Sequence, residues 1–282
     1  MLKFIKYELL GSRKFMLGTI LFALGATTGL QLSLRNRLDA AMTQLEMGND
    51  LFIIGLMGVL LIMLIGSYIA TIIYIVSSFR KELYEDRGYL TFTLPISGAQ
   101  LLGSKLLVSL FWVTIIGGGV FFYNIGLSSI LFNSEVINFS GFFDILRQIE
   151  GINNIVIFLL VSTTVGSLLS LLLIYFSITV SKISLKGKTI GSLWVVLFFV
   201  INYIYSFVYD KITEIFPVYL DIQNLEIIGE REVFIRNAMS PASAMLDMSG
   251  SVPIVSSTFT IVLIVAVFML TGYLLDKKVE LE

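Results

Sequence analysis

The stretch FRKELYEDRGYLTFTLPISGAQLLGSK, Phe79–Lys105, separates two long apolar runs of the sequence. It carries seven charged side chains, and all but one of them precede Gly88. Apolar residues such as Tyr89 and Phe92 recur among and after these charges. A segment that is both charged and apolar suits docking onto a partner at a membrane surface. A short solvated turn between two helix ends accounts for the charges equally well, but it gives the apolar residues no role.

On either side of this stretch, the sequence contains six runs without a charged residue. Each run reaches the roughly 20 residues that a helix needs to cross the hydrocarbon core. Only 14% of the 282 residues are charged, whereas soluble domains carry about 25%. We therefore expect an all-α membrane protein, with one transmembrane domain over residues 1–282. The six runs are Phe15–Leu34, Leu51–Phe79, Leu106–Ser134, Gly151–Ser181, Thr189–Tyr209 and Met248–Leu275, and the last holds its span at 252–275.

Two further segments lie outside these runs. Met1–Lys14 places apolar residues at helical spacing among basic ones, which predicts an amphipathic helix at the interface before the first span. The start of a signal peptide is the alternative, but the apolar run that follows is long enough to span. Asp210–Asp247 is too long for a bare connector. Its apolar residues among charges predict a small cap of short amphipathic helices, broken at Pro217 and Pro241.

The distribution of basic residues predicts the orientation of the spans. Six spans place both termini on one side of the membrane, together with the stretch 80–105. Thirteen of the 19 Lys and Arg residues lie on that side, and six lie on the other. Because an excess of Lys and Arg marks the cytoplasmic side, we expect both termini and the stretch 80–105 to be cytoplasmic. The segment 210–247 is then extracellular.

The composition disfavours several functions. The chain has neither histidine nor cysteine, so it lacks the commonest general base and a thiolate nucleophile. No charged residue lies within the six runs, whereas proton-coupled transporters usually place one at membrane depth. Gly187-Lys188-Thr189 resembles the end of a phosphate-binding loop, but Lys182 stands where its first glycine is required. We expect no catalytic residue, no metal or cofactor site and no ATP site in this chain, and nothing in it points to a nucleic-acid partner.

Small and weakly polar residues remain inside the runs. Small residues at four-residue spacing let helices approach closely, either within the chain or between two subunits. Both readings stay open for this sequence, as does a role in lining a conduit. Asn124 and Asn202 are expected to form structural hydrogen bonds. The predicted packing or dimer face consists of Gly25, Gly29, Ser162, Gly166 and Ser170.

The residue motifs of the charged stretch, together with the predicted topology, resemble those of a known family. Six spans, a basic amphipathic N-terminal helix and a charged loop between spans two and three are similar to permease subunits of type 2 ABC exporters. The motif-level similarity covers the loop and the N-terminal helix, while the topology covers the whole chain. Many relatives have an arginine where this chain has Gly98. The loop residues that carry the resemblance are Arg80-Lys81-Glu82, Arg87-Gly88-Tyr89-Leu90-Thr91, Leu94-Pro95-Ile96-Ser97 and Gln100–Lys105, the last matching "GSK" at its end.

The resemblance implies how the chain works. In that family the loop forms a coupling helix that sits on a separate cytoplasmic ATPase, and two permease and two ATPase subunits make the pump. ATP and magnesium are then bound by the partner ATPase. The permease itself lies in a bacterial plasma membrane. A secondary transporter or channel is the alternative, and an intramembrane enzyme is less favoured. The residues expected to dock the ATPase are Glu82, Glu85, Asp86, Arg87, Tyr89, Leu90 and Phe92.

The composition also bears on the cargo. The runs are free of charge, and the chain contains 22 Phe and 12 Tyr. An apolar, aromatic interior favours an amphipathic or hydrophobic solute, because hydrophilic sugars need more polar anchors. The resembling family includes exporters of peptides, toxins and antibiotics, and we expect a cargo of that kind.

The predicted orientation can be tested with single cysteines, since the chain has none of its own. A cysteine at Ser97 or Ser184 should resist a membrane-impermeant thiol reagent in intact cells, whereas one at Asn224 should react. Permeabilised cells provide the control, because all three positions then meet the reagent. Reaction at Ser97 in intact cells would reverse the orientation.

Overall fold

The computed structural model describes residues 2–42, 50–84, 97–131, 151–184, 193–229 and 251–277. These residues form six long helices, each long and apolar enough to cross a membrane, so the chain has the architecture of a multi-pass membrane protein. The helices are α1 (Leu2–Met42), α2 (Asp50–Tyr84), α3 (Gly98–Leu131), α4 (Ile152–Ser184), α5 (Leu193–Ile215) and α6 (Ile254–Lys277). The strands are β1 (Val218–Asp221), β2 (Glu226–Gly229) and β3 (Ser251–Pro253).

The six predicted spans are confirmed as helices, but their ends differ from the charge-free runs. Helix α1 continues without a break from Leu2 to Met42, so a separate interfacial helix over Met1–Lys14 is not confirmed. Helix α2 extends past Phe79, and α3 begins at Gly98 rather than at residue 106. Both ends of the predicted loop 80–105 are therefore helical, while residues 85–96 lie outside the described ranges.

The chain divides into two compact units. The first comprises Met1–Ser78 and Leu107–Gln148, and the second comprises Phe79–Leu106 and Ile149–Glu282. Helices α2 and α3 each contribute residues to both units.

Polar contacts join the helices of the first unit. The Ser78 hydroxyl donates a hydrogen bond to Glu8 Oε1 at 2.8 Å, which ties α2 to α1. The indole of Trp112 donates to Ser12 Oγ at 2.8 Å, which ties α3 to α1. Buried polar groups must find such partners, because lipid provides none.

A second polar cluster joins α1 and α3 further along their length. Gln31 Nε2 donates to Asn124 Oδ1 at 2.8 Å, and Asn124 Nδ2 in turn donates to the carbonyl of Val120. The hydroxyls of Thr28 and Tyr123 lie 2.7 Å apart. The structural hydrogen bond predicted for Asn124 is confirmed.

The same prediction for Asn202 of α5 is not confirmed. Its side chain is half-buried, and among the described residues it has no hydrogen-bond partner.

In the second unit, α4, α5 and α6 pack against one another. The contacts between α5 and α6 include hydroxyl pairs. The hydroxyls of Thr213 and Ser256 lie 2.6 Å apart, and those of Tyr205 and Thr260 lie 3.0 Å apart. Ser256 is fully buried. These pairs give the hydroxyls of α5 and α6 hydrogen-bond partners within an otherwise apolar contact.

The segment after α5 forms a sheet rather than the predicted short helices. Strand β1 pairs antiparallel with both β2 and β3, in the order β2-β1-β3. The register places Leu220 opposite Ile227 on one side and Val252 on the other. The prediction of amphipathic helices over 210–247 is thus wrong for residues 218–229, and residues 230–247 lie outside the described ranges.

The hairpin between β1 and β2 is fastened at its turn. The carboxylate of Asp221 accepts hydrogen bonds from the Gln223 backbone amide at 3.1 Å and from Asn224 Nδ2 at 2.8 Å. The turn also meets the start of α4, where Asn154 Nδ2 donates to the Gln223 carbonyl at 3.3 Å. Asp221 is fully buried, so these bonds compensate for the loss of water around its charge.

Gly151 makes this contact possible. Its φ is +73°, a conformation that other residues rarely adopt. A Cβ at this position would lie 2.7 Å from the Gln223 carbonyl oxygen. The carbonyl of Gly151 accepts the first hydrogen bond of α4, from the amide of Ile155. Gly151 therefore sets both the start of α4 and the position of the hairpin turn.

We expect Gly151→Ala to destabilise the protein by about 1–3 kcal/mol, through backbone strain and the clash with Gln223. Thermal unfolding in detergent should show a lowered melting temperature. Gly229→Ala, at the end of β2, is the control, because a Cβ there meets nothing within 4 Å. Equal melting temperatures for the two variants would contradict the role of Gly151.

Candidate functional site

Six of the seven predicted docking residues lie outside the described ranges. These six are Glu85, Asp86, Arg87, Tyr89, Leu90 and Phe92. The remaining one, Glu82, lies in the last turn of α2. The structure instead describes the two helix ends that flank residues 85–96, and how each is held within the second unit.

An ion pair joins these two helix ends directly. Lys105 Nζ lies 2.7 Å from Glu82 Oε1, and the side chains are 3% and 11% exposed. A buried charge is costly unless an opposite charge and hydrogen bonds accompany it. Glu82 is therefore engaged inside the protein, rather than presented on a surface as predicted. The pair fixes the end of α2 relative to the first turns of α3.

An aromatic pair joins the end of α2 to α4. The rings of Phe79 and Tyr175 lie 4.3 Å apart between centroids, with their planes tilted by 31°. Both side chains are fully buried. Tilted aromatic rings at this distance attract each other beyond the area they bury.

A capping box begins α3. The amide of Gln100 donates to Ser97 Oγ at 3.3 Å, and Gln100 Oε1 accepts from the Ser97 amide at 3.4 Å. This reciprocal pair satisfies two amides at the helix start that have no partner within the helix. Ser97 is therefore the N-cap of α3.

The start of α3 also lies against the end of α6. The amide of Gly98 donates to Asp276 Oδ1. A Cβ on Gly98 would lie 2.7 Å from Leu275 Cβ and 2.8 Å from the Gly272 carbonyl oxygen, so only glycine fits. A Cβ on Gly272 would lie 3.1 Å from Ala99 Cβ. The two helices thus approach each other almost backbone to backbone.

Asp276 is placed favourably for α3 and unfavourably for its own helix. A carboxylate is stabilising at the positive N-terminal end of a helix dipole and destabilising at the negative C-terminal end. Asp276 stands in the last turn of α6 but accepts a bond at the first residue of α3. The contact therefore orients the two helix ends by charge as well as by shape.

The residues of the predicted packing face differ in what they contact. A Cβ on Gly29 would lie 3.0 Å from Leu60 of α2, so Gly29 packs within the chain, whereas a Cβ on Gly25 meets nothing within 4 Å. On α4, Gly166 and Ser170 are exposed and Ser162 is half-exposed. The hydroxyls of both serines donate to carbonyls of α4 itself. Gly29 thus contacts α2 within the chain, whereas the face predicted on α4 stays a prediction.

Sequence reasoning missed the residues that hold the site together. Lys105 read as the end of a charged loop, although its distance from the Ser97 cap places it inside a helix. Gly98 read as a departure from the resembling family. Asp276 lies directly after the span predicted at 252–275, and no role was predicted for it. A short-range pattern was available only for Ser97 and Gln100, since the other contacts join residues far apart in the sequence.

Comparison of the chain with protein-family models, with curated proteins and with solved structures finds no match.

The importance of the buried ion pair can be measured directly. Lys105→Met should destabilise the protein by about 3–5 kcal/mol, because Glu82 then stays buried without its ammonium partner. The double variant Glu82→Leu/Lys105→Met should recover most of this loss, since no charge is left buried. Thermal unfolding in detergent reports both effects.

The exposed pair of Lys211 and Glu214 provides the control. Its atoms lie 2.6 Å apart, but the side chains are 53% and 69% exposed. Lys211→Met should change stability by no more than about 0.5 kcal/mol. If Lys105→Met proves as mild as Lys211→Met, the pair does not fix the two helix ends.

Proposed function

We propose that this chain is the membrane-spanning permease subunit of an ATP-driven exporter of the type 2 ABC class. In this proposal, residues 80–105 form the coupling segment that docks a cytoplasmic ATPase. Both termini are cytoplasmic, the membrane is the plasma membrane, and the ATP and magnesium belong to the partner. The resemblance of the loop motifs and the topology is the starting point.

The observation that carries the proposal is the fixation of both ends of the coupling segment. A segment that is displaced by a soluble partner transmits this motion to the helices only if both of its ends are held rigidly. Glu82 and Lys105 tie the two ends to each other. Phe79 ties the first end to α4, and Gly98 ties the second to α6. A solvated turn between helix ends would need none of these contacts.

The buried ion pair also fits a mechanical role. Replacing such a pair by apolar residues is often neutral or stabilising, so stability alone is a weak reason to keep it. What a paired charge provides is a fixed register, because a shift of either helix leaves a charge buried without its partner. A coupling segment needs that register, since its position sets the direction of the push.

The cargo and the assembly follow from the same proposal. The described helices expose large apolar side chains such as Phe199, Tyr203 and Phe207 along α5. An amphipathic or hydrophobic solute, such as a peptide, toxin or antibiotic, is compatible with such surfaces. Two permease chains and two ATPase subunits would enclose the pathway, and small residues such as Gly166 would suit close contact between copies.

Copurification tests the proposal. The tagged chain, extracted from its native membrane in mild detergent, should carry a soluble ATPase in about equal amount. Tyr89→Ala or Phe92→Ala should reduce this binding by roughly tenfold or more, because a truncated aromatic anchor costs about 2 kcal/mol. Lys81→Ala should have little effect, since Lys81 is exposed and charges at a rim mainly steer association.

A linker replacement supplies the decisive control. Residues 85–92 are exchanged for Gly and Ser, which leaves Glu82, Leu83 and Lys105 in place. This variant should melt like the original chain but should lose the ATPase. Normal ATPase binding by the linker variant would refute the docking assignment, and transport by the purified chain without ATP would favour the secondary transporter or channel.

A further inference from the structure

The buried residues of α6 are concentrated at its two ends. Among the six buried positions, Ser256 and Thr260 lie near the start, while Thr271, Gly272 and Leu275 lie near the end. Val267 is the one buried residue of the ten between 261 and 270. These positions recur at spacings of four and seven residues along one face of α6, so the helix packs along its length within the second unit, with most of its fully buried residues near its two termini.

The C-terminal end of α6, called its inner end, packs closely against the start of α3. Asp276 accepts the hydrogen bond from the Gly98 amide, and the Gly272 carbonyl lies where a Cβ of Gly98 would stand. Sliding or rotation of α6 would break this bond or bring Leu275 into the backbone of α3. The contact therefore resists displacement in more than one direction.

The N-terminal end of α6, called its outer end, continues directly from the sheet. Strand β3 leads into α6 without an intervening residue, since Pro253 ends the strand and Ile254 begins the helix. Strand β3 pairs with β1, and Ser256 lies 2.6 Å from Thr213 of α5. A displacement of α6 along its axis must therefore move the sheet or break its ladder.

Helix α6 itself is stiff. It has 24 residues, which correspond to about 36 Å of helix. Sharp kinks arise at proline, at glycine pairs or where a group inserts into the hydrogen-bond ladder. Helix α6 contains no proline, and Gly272, its one glycine, stands within the keyed inner end. A displacement applied at one end is therefore passed along a helix that has no proline or glycine between its ends.

We propose that α6 is a rigid link between the start of α3 and the three-stranded sheet, and that Asp276 is the positioning residue at its C-terminal end. Displacement of the α3 start moves α6, and α6 moves β3 and the paired β1. The sheet passes this motion to α4, because the hairpin turn rests on Gly151. The use of this motion in export rests on the proposed function, whereas the mechanical link does not.

Hydrogen–deuterium exchange on the purified chain tests the link without any partner. Asp276→Ala should speed exchange of amides in β1 and β2 by roughly fivefold, the size expected when a helix cap is lost and the loss is transmitted. Asp276→Asn should restore most of the protection, because its Oδ1 still accepts from Gly98. Glu214→Ala, which removes an exposed carboxylate of α5, is the control and should leave the sheet unchanged.

A second variant tests the link from the other end of α6, because coupling between two sites acts equally in both directions. Ser256→Ala removes a contact at the outer end and should speed exchange at residues 98–104 near the inner end. This arm decides the question if Asp276→Ala fails to fold. Faster exchange confined to residues 97–104 and 272–277 in Asp276→Ala, or to the sheet in Ser256→Ala, would overturn the proposal. Neither result depends on ATPase copurification, so the link and the proposed function can fail separately.

Discussion

Lipid removes the usual reason for helices to associate. In a bilayer, an apolar side chain gains little by leaving the hydrocarbon for another helix, so contacts depend on close packing and hydrogen bonds. The described contacts follow this constraint. Gly98 lets the start of α3 reach the Gly272 carbonyl of α6, and Thr213 meets Ser256 through paired hydroxyls. Small and hydroxyl-bearing residues thus help to fix the helix positions, while many large apolar residues face outward.

The same constraint explains which parts of the fold were predictable. A span must be long, apolar and helical, so its presence is visible in composition alone. Its ends are less visible, because a charge can lie inside a helix when a partner neutralises it. Glu82 and Lys105 mark this limit, since both read as loop residues and both are buried in helices. No pattern within one segment reveals a pair that forms only when α2 and α3 come together.

The three-stranded sheet shows a different limit. The sequence VYLDIQNLEIIG, residues 218–229, mixes apolar and polar residues in a way that suits either a short helix or a hairpin. The deciding features are local bonds to Asp221 and the turn residue Leu225, which adopts a φ of +58° without being glycine. A turn of this kind lacks the Asn-Gly or Asp-Gly signal of a short hairpin. The turn is held by these local bonds and by the start of α4, and the contact with α4 is not visible in the sequence of the hairpin.

Position 98 shows why a departure from a resembling family can carry structural meaning. A long side chain there would be expected to reach a partner from a flexible stem. In this chain any Cβ at position 98 would strike Leu275 or the Gly272 carbonyl, so a larger residue requires α3 and α6 to separate. Glycine instead lets the helix start itself contact α6, and Asp276 supplies the charge at that point. Because a backbone contact has fewer internal rotations than a long side chain, it defines the relative position of the two helices more sharply. The carboxylate of Asp276 is therefore part of the contact that positions the start of α3, rather than a charge that merely ends a span.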